Sequence, residues 1–306
     1  MRHIRACAAV LLGLFLGAPS GEAGAAEAVE FAAAETPPTQ FAAARAAPRP
    51  KPARLTGRLY APETSSDRAP GGRAGPALVI LQGCAGRLPG GLEAQYAARF
   101  TARGLVVLVV DAYGPRHEPA RCLSEFIWPD RLAAAFGALD FLAGREEVDP
   151  ARVAVLGHGV GGAAALSAVG APSGHTVHWP GVTGRRFAAA VAITPPCGPA
   201  HAALAAPALV VIAGRDAVYA PRWCRALVEA DPARAWPEAE QTAKLAPAGQ
   251  RPRLLELPGA AHGFDLAGVG DPAGRLWGQP DPVRDPAADA AADAAIGAFL
   301  AEVLAR

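Results

Sequence analysis

Residues 153–162 read VAVLGHGVGG, and this stretch decides the fold of the chain. Four apolar residues, 153–156, come first and favour a buried strand. A cluster of glycines follows and predicts a sharp turn, because glycine adopts backbone conformations that other residues avoid. Small residues at 163–168 then favour a helix that packs closely against the strand. The stretch therefore predicts a strand, a sharp turn and a helix, in that order.

The spacing of the glycines matches a nucleophile elbow, whose pattern is G-x-S-x-G. In that motif a strained turn lifts a serine hydroxyl above the end of a sheet. Gly157 and Gly161 occupy the two flanking positions, and Gly159 stands where the serine belongs. Glycine has no side chain that can attack a substrate, and it relieves a backbone strain of about 1–3 kcal/mol at such a turn. The sequence thus predicts the scaffold of a catalytic site without its nucleophile.

Strand and helix signals alternate along most of the remaining chain. Continuous apolar runs predict strands buried on both faces, and apolar residues at helical spacing predict the helices between them. The predicted strands are an alternating one from residue 54, then 77–81, 105–110, 152–156, 187–193, 208–213 and 254–257; the predicted helices are 91–103, 130–143, 163–168, 221–229 and 286–304. This pattern predicts a single α/β domain over residues 53–306, with a doubly wound, mostly parallel sheet and helices on both faces.

The first 25 residues resemble a secretory signal peptide. Basic residues precede an apolar stretch at 6–18, and AGA at 23–25 offers a cleavage site. The apolar stretch is shorter than the ~20 residues of a membrane-spanning helix, so no stable membrane anchor is expected after cleavage. The sequence therefore predicts a periplasmic or secreted protein. Residues 26–52, rich in Ala and Pro, are predicted to form a flexible leader outside the fold.

Composition argues against several classes of function. The net charge is +1 and aromatic residues make up 6% of the chain, so binding to nucleic acid is not expected. No cofactor motif is present. His175 and His178 have a metal-like spacing, but no third ligand lies nearby in the sequence, so we predict a surface loop and no metal site. Residues 115–126 and 171–186 are candidates for a lid.

Two further loops carry reactive side chains after late strands of the predicted sheet. Asp216 follows the strand at 208–213, and His262 follows the strand at 254–257. The chain order of elbow, Asp and His is the order found in α/β-hydrolases. Because ligands in open α/β sheets bind outside the carboxyl ends of the strands, these loops are expected to converge on one site.

Five segments, in collinear order, resemble the dienelactone hydrolase family of the α/β-hydrolase fold. They are LQGCAG at 81–86, DAYGPR at 111–116, VLGHGVGG at 155–162, PPCGP at 195–199 and LPGAAHGFD at 257–265. They are similar to the family's H-G-C-G-G oxyanion loop, its D-S-F-G-P-R segment, its elbow, its Pro/Gly-Cys turn and its Y-P-G-A-x-H-x-F-D ending. The resemblance extends over residues 54–265. It implies hydrolysis of a small-molecule ester or lactone by a Ser or Cys nucleophile with a His and an Asp.

The same resemblance assigns a role to each candidate site residue. His262 is the expected general base, and Asp216 is expected to orient its imidazole. The backbone amides of Cys84 and Val160 are expected to form the oxyanion hole. The nucleophile position, Gly159, departs from the family pattern.

Gln82 is a second departure, since it replaces the histidine that usually opens the oxyanion loop. Its amide is expected to donate a hydrogen bond that orders this loop. Cys84 is a conceivable substitute nucleophile, although a cysteine of an exported protein more often forms a disulfide. Ser167, in the helix after the elbow, is expected only to pack.

Four cysteines follow the predicted signal peptide, and an even number in an exported protein favours disulfides. They are Cys84, Cys122, Cys197 and Cys224. Four cysteines allow three connectivities, and the sequence alone does not choose among them. The resemblance favours Cys84 with Cys122, and Cys197 with Cys224, because each pair follows strands expected to be neighbours in this fold.

The sequence is compatible with two functions, which belong to different classes. In the first, the chain is a hydrolase by descent with impaired or lost covalent catalysis, and any residual chemistry runs through a water that His262 activates. In the second, it is a non-catalytic module that holds a small acyl or lactone-like ligand in the same pocket.

Overall fold

The computed structural model of the protein describes residues 26–34, 54–62, 74–83, 86, 91–112, 127–170, 184–198, 201, 203–228, 251–266 and 284–305. Within these residues, one eight-stranded sheet carries helices on both faces. The strands are β1 (Glu27–Ala32), β2 (Arg54–Tyr60), β3 (Gly75–Leu81), β4 (Val106–Asp111), β5 (Val148–His158), β6 (Ala189–Ile193), β7 (Ala208–Ala213) and β8 (Arg253–Leu257). The helices are α1 (Leu92–Thr101), α2 (Ile127–Ala143), α3 (Val160–Ala168), α4 (Pro221–Arg225) and α5 (Pro286–Leu304).

The strand order across the sheet is β1-β2-β4-β3-β5-β6-β7-β8. β1 pairs with β2, and β2 with β4, in antiparallel fashion, while every other neighbouring pair is parallel. The prediction of a mostly parallel, doubly wound sheet is therefore confirmed. Because β3, β5, β7 and β8 run in the same direction, the loops that follow them leave the same end of the sheet.

Both faces of the central strands are apolar, which explains their continuous apolar runs. On one face, Val79 and Val155 join a core cluster with side chains of α2 and α3. On the other face, Ile80 and Leu156 join a cluster with side chains of α1 and α5. A parallel sheet covered on both faces needs this composition, because successive residues point in opposite directions.

The prediction of a flexible leader at residues 26–52 is wrong for Glu27–Ala32, which form β1. β1 pairs with the edge of β2 along its whole length and buries Val29 and Phe31. It also packs closely against α2, since a Cβ on Gly137 would lie only 2.2 Å from the carbonyl oxygen of Ala32. The alternation of polar and apolar residues in EAVEFA was the strand signal, and the Ala- and Pro-rich composition of the surrounding residues concealed it.

Several element boundaries also differ from the prediction, most of all at the start of β5 and at the end of α4. β5 begins at Val148 rather than at residue 152, because its ladder with β3 includes a separate pairing of Val148 with Gly75 before the main register. α4 ends at Arg225 and continues only as a turn, so it is shorter than the predicted helix at 221–229.

Several predictions fall outside the described residues. These are the signal peptide, the leader residues 35–52, the lid candidates apart from residues 184–186, and the positions Cys84, Cys122, His175 and His178. Within the part of the chain that the structure describes, no helix is long and apolar enough to cross a membrane. The same residues contain no group of three or more His, Cys, Asp or Glu side chains placed to hold a metal ion.

Candidate active site

β5 and α3 meet at Gly159, whose backbone angles are φ 52° and ψ −120°. β5 ends at His158 and α3 begins at Val160, so a single residue makes the turn. Backbone angles of this kind cost a residue with a Cβ about 1–3 kcal/mol, and glycine avoids the cost. The predicted strand, turn and helix are therefore present, and the turn has the sharp conformation of an elbow.

The two flanking glycines allow contacts that no other residue would permit. A Cβ on Gly157 would lie 2.1 Å from the carbonyl oxygen of Gly161, and a Cβ on Gly161 would lie 2.5 Å from the carbonyl oxygen of Gln82. Both distances are far below a van der Waals contact. The second contact joins the elbow to the loop after β3, whose next residues include Cys84, outside the described residues.

His262 and Asp216 form a buried hydrogen-bonded pair, with Nδ1 of the imidazole 2.7 Å from Oδ2 of the carboxylate. The other carboxylate oxygen, Oδ1, accepts hydrogen bonds from the backbone amides of Val218 and Tyr219, both at 2.8 Å. Because a carboxylate oxygen can only accept, Nδ1 is the nitrogen that donates its proton in this contact. The structure thus brings together the two residues that the sequence placed on separate loops.

Tyr219 connects this pair to the elbow. Its ring packs edge-on against the imidazole of His262, with ring centroids 5.3 Å apart and planes at 74°. Its Cε2 lies 3.6 Å from the point where a Cβ on Gly159 would stand, and no other described atom beyond the adjacent residues comes within 4 Å of that point. No sequence motif indicated Tyr219.

The loop after β3 differs from its predicted arrangement at Gln82. The Gln82 side chain is 2% exposed, and among the described residues neither its amide nitrogen nor its amide oxygen has a hydrogen-bond partner. The expected hydrogen bond from this amide is therefore not formed with any residue that the structure describes. Arg131, buried on α2, instead donates from Nη2 to the carbonyl oxygen of Gly83 at 3.2 Å. Val160, the other expected oxyanion donor, is the first residue of α3, where backbone N–H groups have no partner within the helix.

A second buried His–Asp pair lies beside the elbow. His158 Nε2 lies 3.0 Å from Oδ2 of Asp265, and the Tyr96 hydroxyl donates to the same oxygen at 2.7 Å. Burial raises the pKa of Asp265, but the His158 charge and the two hydrogen bonds outweigh it and hold that pKa below its usual value. Burial, together with the nearby Asp265 charge, raises the pKa of Tyr96 well above its usual value. Sequence reasoning missed these residues, because their partners are distant in the chain.

Ser167 also contacts a histidine, but in an arrangement that does not activate its hydroxyl. The Ser167 hydroxyl lies 2.9 Å from the carbonyl oxygen of Ala163 and 3.2 Å from Nε2 of His201. The amide of Gly198 donates to Nδ1 of the same imidazole at 3.3 Å, so Nε2 carries the proton and donates to the hydroxyl. Burial lowers the pKa of His201 to about 4. In a catalytic pair the serine hydroxyl donates to the imidazole, whereas here the imidazole of His201 donates to the hydroxyl of Ser167.

Cys197 and Cys224 are joined by a disulfide in the structure, with their Cα atoms 5.0 Å apart. The bridge links the loop after β6 to α4, which follows the loop of Asp216. This is one of the two pairings that the resemblance favoured. The other expected pair, Cys84 with Cys122, lies outside the described residues.

Solved structures share this architecture. A dienelactone hydrolase-like promiscuous phosphotriesterase from metagenomic libraries matches with a TM-score of 0.57 at 19% identity, over 92% of this chain and 99% of that chain. Esterase 2 of Thermogutta terrifontis, with propionate bound, matches with a TM-score of 0.58 at 18% identity, over 92% of this chain and 96% of that chain. The chain has the α/β-hydrolase fold. In open α/β sheets, ligands bind outside the carboxyl ends of the strands, and at this end β5, β7 and β8 lead into the three loops described above.

Curated relatives cover a smaller part of the chain. The uncharacterized proteins Rv2307c and MT2364 of Mycobacterium tuberculosis are each 34% identical over 110 residues, which is 36% of this chain. The match spans about a third of their own length, 35%. No protein-family model matches the chain.

Proposed function

We propose that this chain is an exported protein of the ester or lactone hydrolase type, with covalent catalysis impaired or lost at Gly159. The observation that carries the proposal is the buried His262–Asp216 pair, 2.7 Å apart, in the loops beside an intact elbow. An imidazole whose Nδ1 proton is held by a carboxylate has a fixed orientation, and this orientation suits it to proton transfer through its other ring nitrogen. The fold shared with esterases gives the same chemistry a suitable scaffold.

Water is the nucleophile in the proposed reaction, because position 159 offers no side chain. His262 Nε2 takes a proton from a water molecule as the water oxygen bonds to the carbonyl carbon. The carbon–oxygen bond to the leaving alcohol then breaks, and the imidazolium returns its proton to the alkoxide. The Asp216 carboxylate stabilises the imidazolium. The amides of Val160 and Cys84 are the proposed donors to the oxyanion.

This route is expected to be slow. In serine proteases the members of the triad act as a unit, and loss of one of them removes most of the rate enhancement. A residual enhancement of roughly 10³ to 10⁴ over water remains from the oxyanion hole and binding. We therefore propose a weak hydrolase rather than an efficient one.

Small acyl compounds are the proposed ligands. Esterase 2 of Thermogutta terrifontis was solved with butyrate and with propionate bound, and the metagenomic neighbour is described as a phosphotriesterase. For this chain we infer a small ester, lactone or acyl ligand, and short-chain chromogenic esters are the first compounds to test.

Export is part of the proposal and rests on the signal-like sequence at residues 1–25. Cleavage after Ala25 would start the mature chain at Ala26, just before β1. The edge strand would then be kept in the mature protein. Amino-terminal sequencing of periplasmic or culture-medium material should find Ala26 first, whereas a chain that keeps Met1 and stays in the cytoplasm would contradict export.

An ester assay with a matched control tests the proposed function. Mature protein is incubated with p-nitrophenyl butyrate beside His262→Ala and His201→Ala, the second of which removes another buried histidine outside the site. Turnover that disappears only in His262→Ala supports the hydrolase. Identical background rates in all three proteins would contradict it and favour the non-catalytic module that holds a small acyl or lactone-like ligand.

A further inference from the structure

We infer that His158, Asp265 and Tyr96 form a positioning network that sets the distance between the elbow and the base His262. The inference rests on the proposed function, since it concerns the efficiency of the same site. None of the three residues is placed to contact the reacting atoms in the mechanism above. Their proposed role is to act through His262.

The network joins the elements that surround the site. His158 is the last residue of β5 and directly precedes Gly159. Asp265 lies in the same turn as His262. Tyr96 comes from α1, on the face of the sheet opposite α2 and α3. One carboxylate oxygen therefore ties the strand before the elbow to the turn that carries the base.

The contacts are buried and mutually dependent. Oδ2 of Asp265 accepts from His158 at 3.0 Å and from Tyr96 at 2.7 Å, and the two donor rings pack edge-on with centroids 4.8 Å apart. Asp265 is 3% exposed and Tyr96 is fully buried. Loss of a partner would leave a buried carboxylate poorly satisfied, and the turn would move to restore its hydrogen bonds.

The outer end of the network is anchored as well. The guanidinium of Arg99 lies over the Tyr96 ring, 5.1 Å from its centroid. Arg99 also makes two 2.7 Å hydrogen bonds to the carboxylate of Asp289 on α5. Tyr96 is therefore held on a helix that is itself tied to a second helix. Because α1 is held in this way, we expect the Tyr96 hydroxyl to keep a fixed position and to fix the position of Asp265.

His262 consequently has two supports with different effects. Asp216, after β7, holds the imidazole through Nδ1 and sets its rotation. Asp265 holds the backbone turn of His262 against the end of β5 and sets its position relative to residue 159. Misplacement of a catalytic group by about 1 Å can cost about 10²-fold in rate. The network is therefore expected to influence kcat while leaving ligand binding largely unchanged.

Kinetics in the Gly159→Ser protein test the inference, because that protein is expected to turn over fast enough for accurate rates. His158→Leu should lower kcat by about 10- to 100-fold with KM changed by less than about twofold. His158→Gln, whose amide can donate where Nε2 did, should recover most of the rate. His201→Leu is the control, since it removes a buried, hydrogen-bonded histidine of similar size outside the network. An equal loss in both Leu variants, or no loss in His158→Leu, would overturn the inference.

Two further measurements test the network if the His158→Leu protein does not fold or if the Gly159→Ser protein is inactive. If His158→Leu does not fold, Tyr96→Phe removes a single hydrogen bond and should still lower kcat by about threefold or more at unchanged KM; an unchanged kcat would overturn the inference. If the folded Gly159→Ser protein is inactive, the claim that the site lacks only its nucleophile fails, and crystal structures then test the network separately. The His262 imidazole should shift by about 1 Å from residue 159 in the Leu variant with its Asp216 contact retained. An unshifted imidazole would overturn the positioning role.

Discussion

The Cε2 atom of Tyr219 lies 3.6 Å from the point where a Cβ on Gly159 would stand. This is an ordinary van der Waals distance, so among the described residues nothing obstructs a small side chain at the elbow. The same ring packs against His262, which would place a new side chain beside the base. Among the described residues, the barrier to a nucleophile at this position is therefore backbone strain, and the His262–Asp216 pair lies beside it.

Replacing Gly159 and Gly157 by alanine should distinguish the energetic cost of backbone strain from that of a steric clash. Gly159→Ala should lower the free energy of unfolding by about 1–3 kcal/mol, because its φ of 52° is unfavourable for a residue with a Cβ. Gly157→Ala should cost clearly more, since its Cβ would lie 2.1 Å from a carbonyl oxygen. Urea denaturation measures both. Equal losses in the two variants would show that the turn relaxes and that the close approach is not required.

An apolar replacement of Gln82 should stabilise the protein. Its buried amide has no hydrogen-bond partner within the part of the chain that the structure describes, and such a group costs about 1–3 kcal/mol. Gln82→Met keeps a similar shape without the polar atoms, so the free energy of unfolding should rise by about 1 kcal/mol. Gln95→Met is the control, because the Gln95 side chain is only half-buried, so its replacement removes no fully buried amide. A loss of stability in Gln82→Met would show that the amide is satisfied in solution.

Because of His201, we expect the protein to be less stable in mild acid than at neutral pH. Burial lowers its pKa from 6.5 to about 4, so the unfolded chain takes up a proton below 6.5 while the folded chain does not until about 4. The unfolded state binds more protons in this window, so stability falls as the pH decreases through it, by about 3 kcal/mol in total. Below about pH 4 both states are protonated, and this group adds no further loss.

Urea denaturation across this window checks the prediction. His201→Gln should show a shallower loss of stability than the unaltered protein between about pH 6.5 and about pH 4. The comparison is of slopes, so a constant offset from lost packing does not affect it. Parallel curves for the two proteins would contradict the assignment.

The cysteines should be oxidised in exported material. Mass spectrometry without reductant should find two bridges, with one peptide linking Cys197 and Cys224, which are 27 positions apart in the chain. Replacing both of these cysteines by serine should cost about 2–4 kcal/mol, mainly because the unfolded chain is no longer constrained. Four free thiols in periplasmic or secreted protein would contradict the prediction.

The fold and the elbow could be predicted from local sequence, because both depend on short-range patterns. Buried parallel strands need continuous apolar runs, and the turn at Gly159 needs glycines at 157 and 161, where a Cβ would collide with carbonyl oxygens. β1 was missed because its six residues lie in an Ala-rich region, and its stability comes from pairing with β2 rather than from its own composition.

The supporting contacts of the site could not be predicted, because they join distant parts of the chain. Tyr96 meets Asp265 across 169 positions, and His158 meets the same carboxylate across 107. Tyr219 carries no motif, and its role depends on the geometry of three loops. Gln82 was expected to form a hydrogen bond, but the choice of donor to this loop depends on Arg131, which comes from a helix on one face of the sheet.

The most direct test of the central claim is the esterase activity of Gly159→Ser, measured beside Gly159→Ala, which carries the same backbone strain without the hydroxyl. We predict a gain of about 100-fold or more in kcat/KM for the serine variant alone, a small part of the ~10⁶ that a complete triad contributes in a serine protease. We also predict stoichiometric labelling of that variant by a fluorophosphonate, with none in the unaltered protein. A folded Gly159→Ser protein with no gain, or covalent labelling of the unaltered chain, would contradict the claim that this site lacks only its nucleophile.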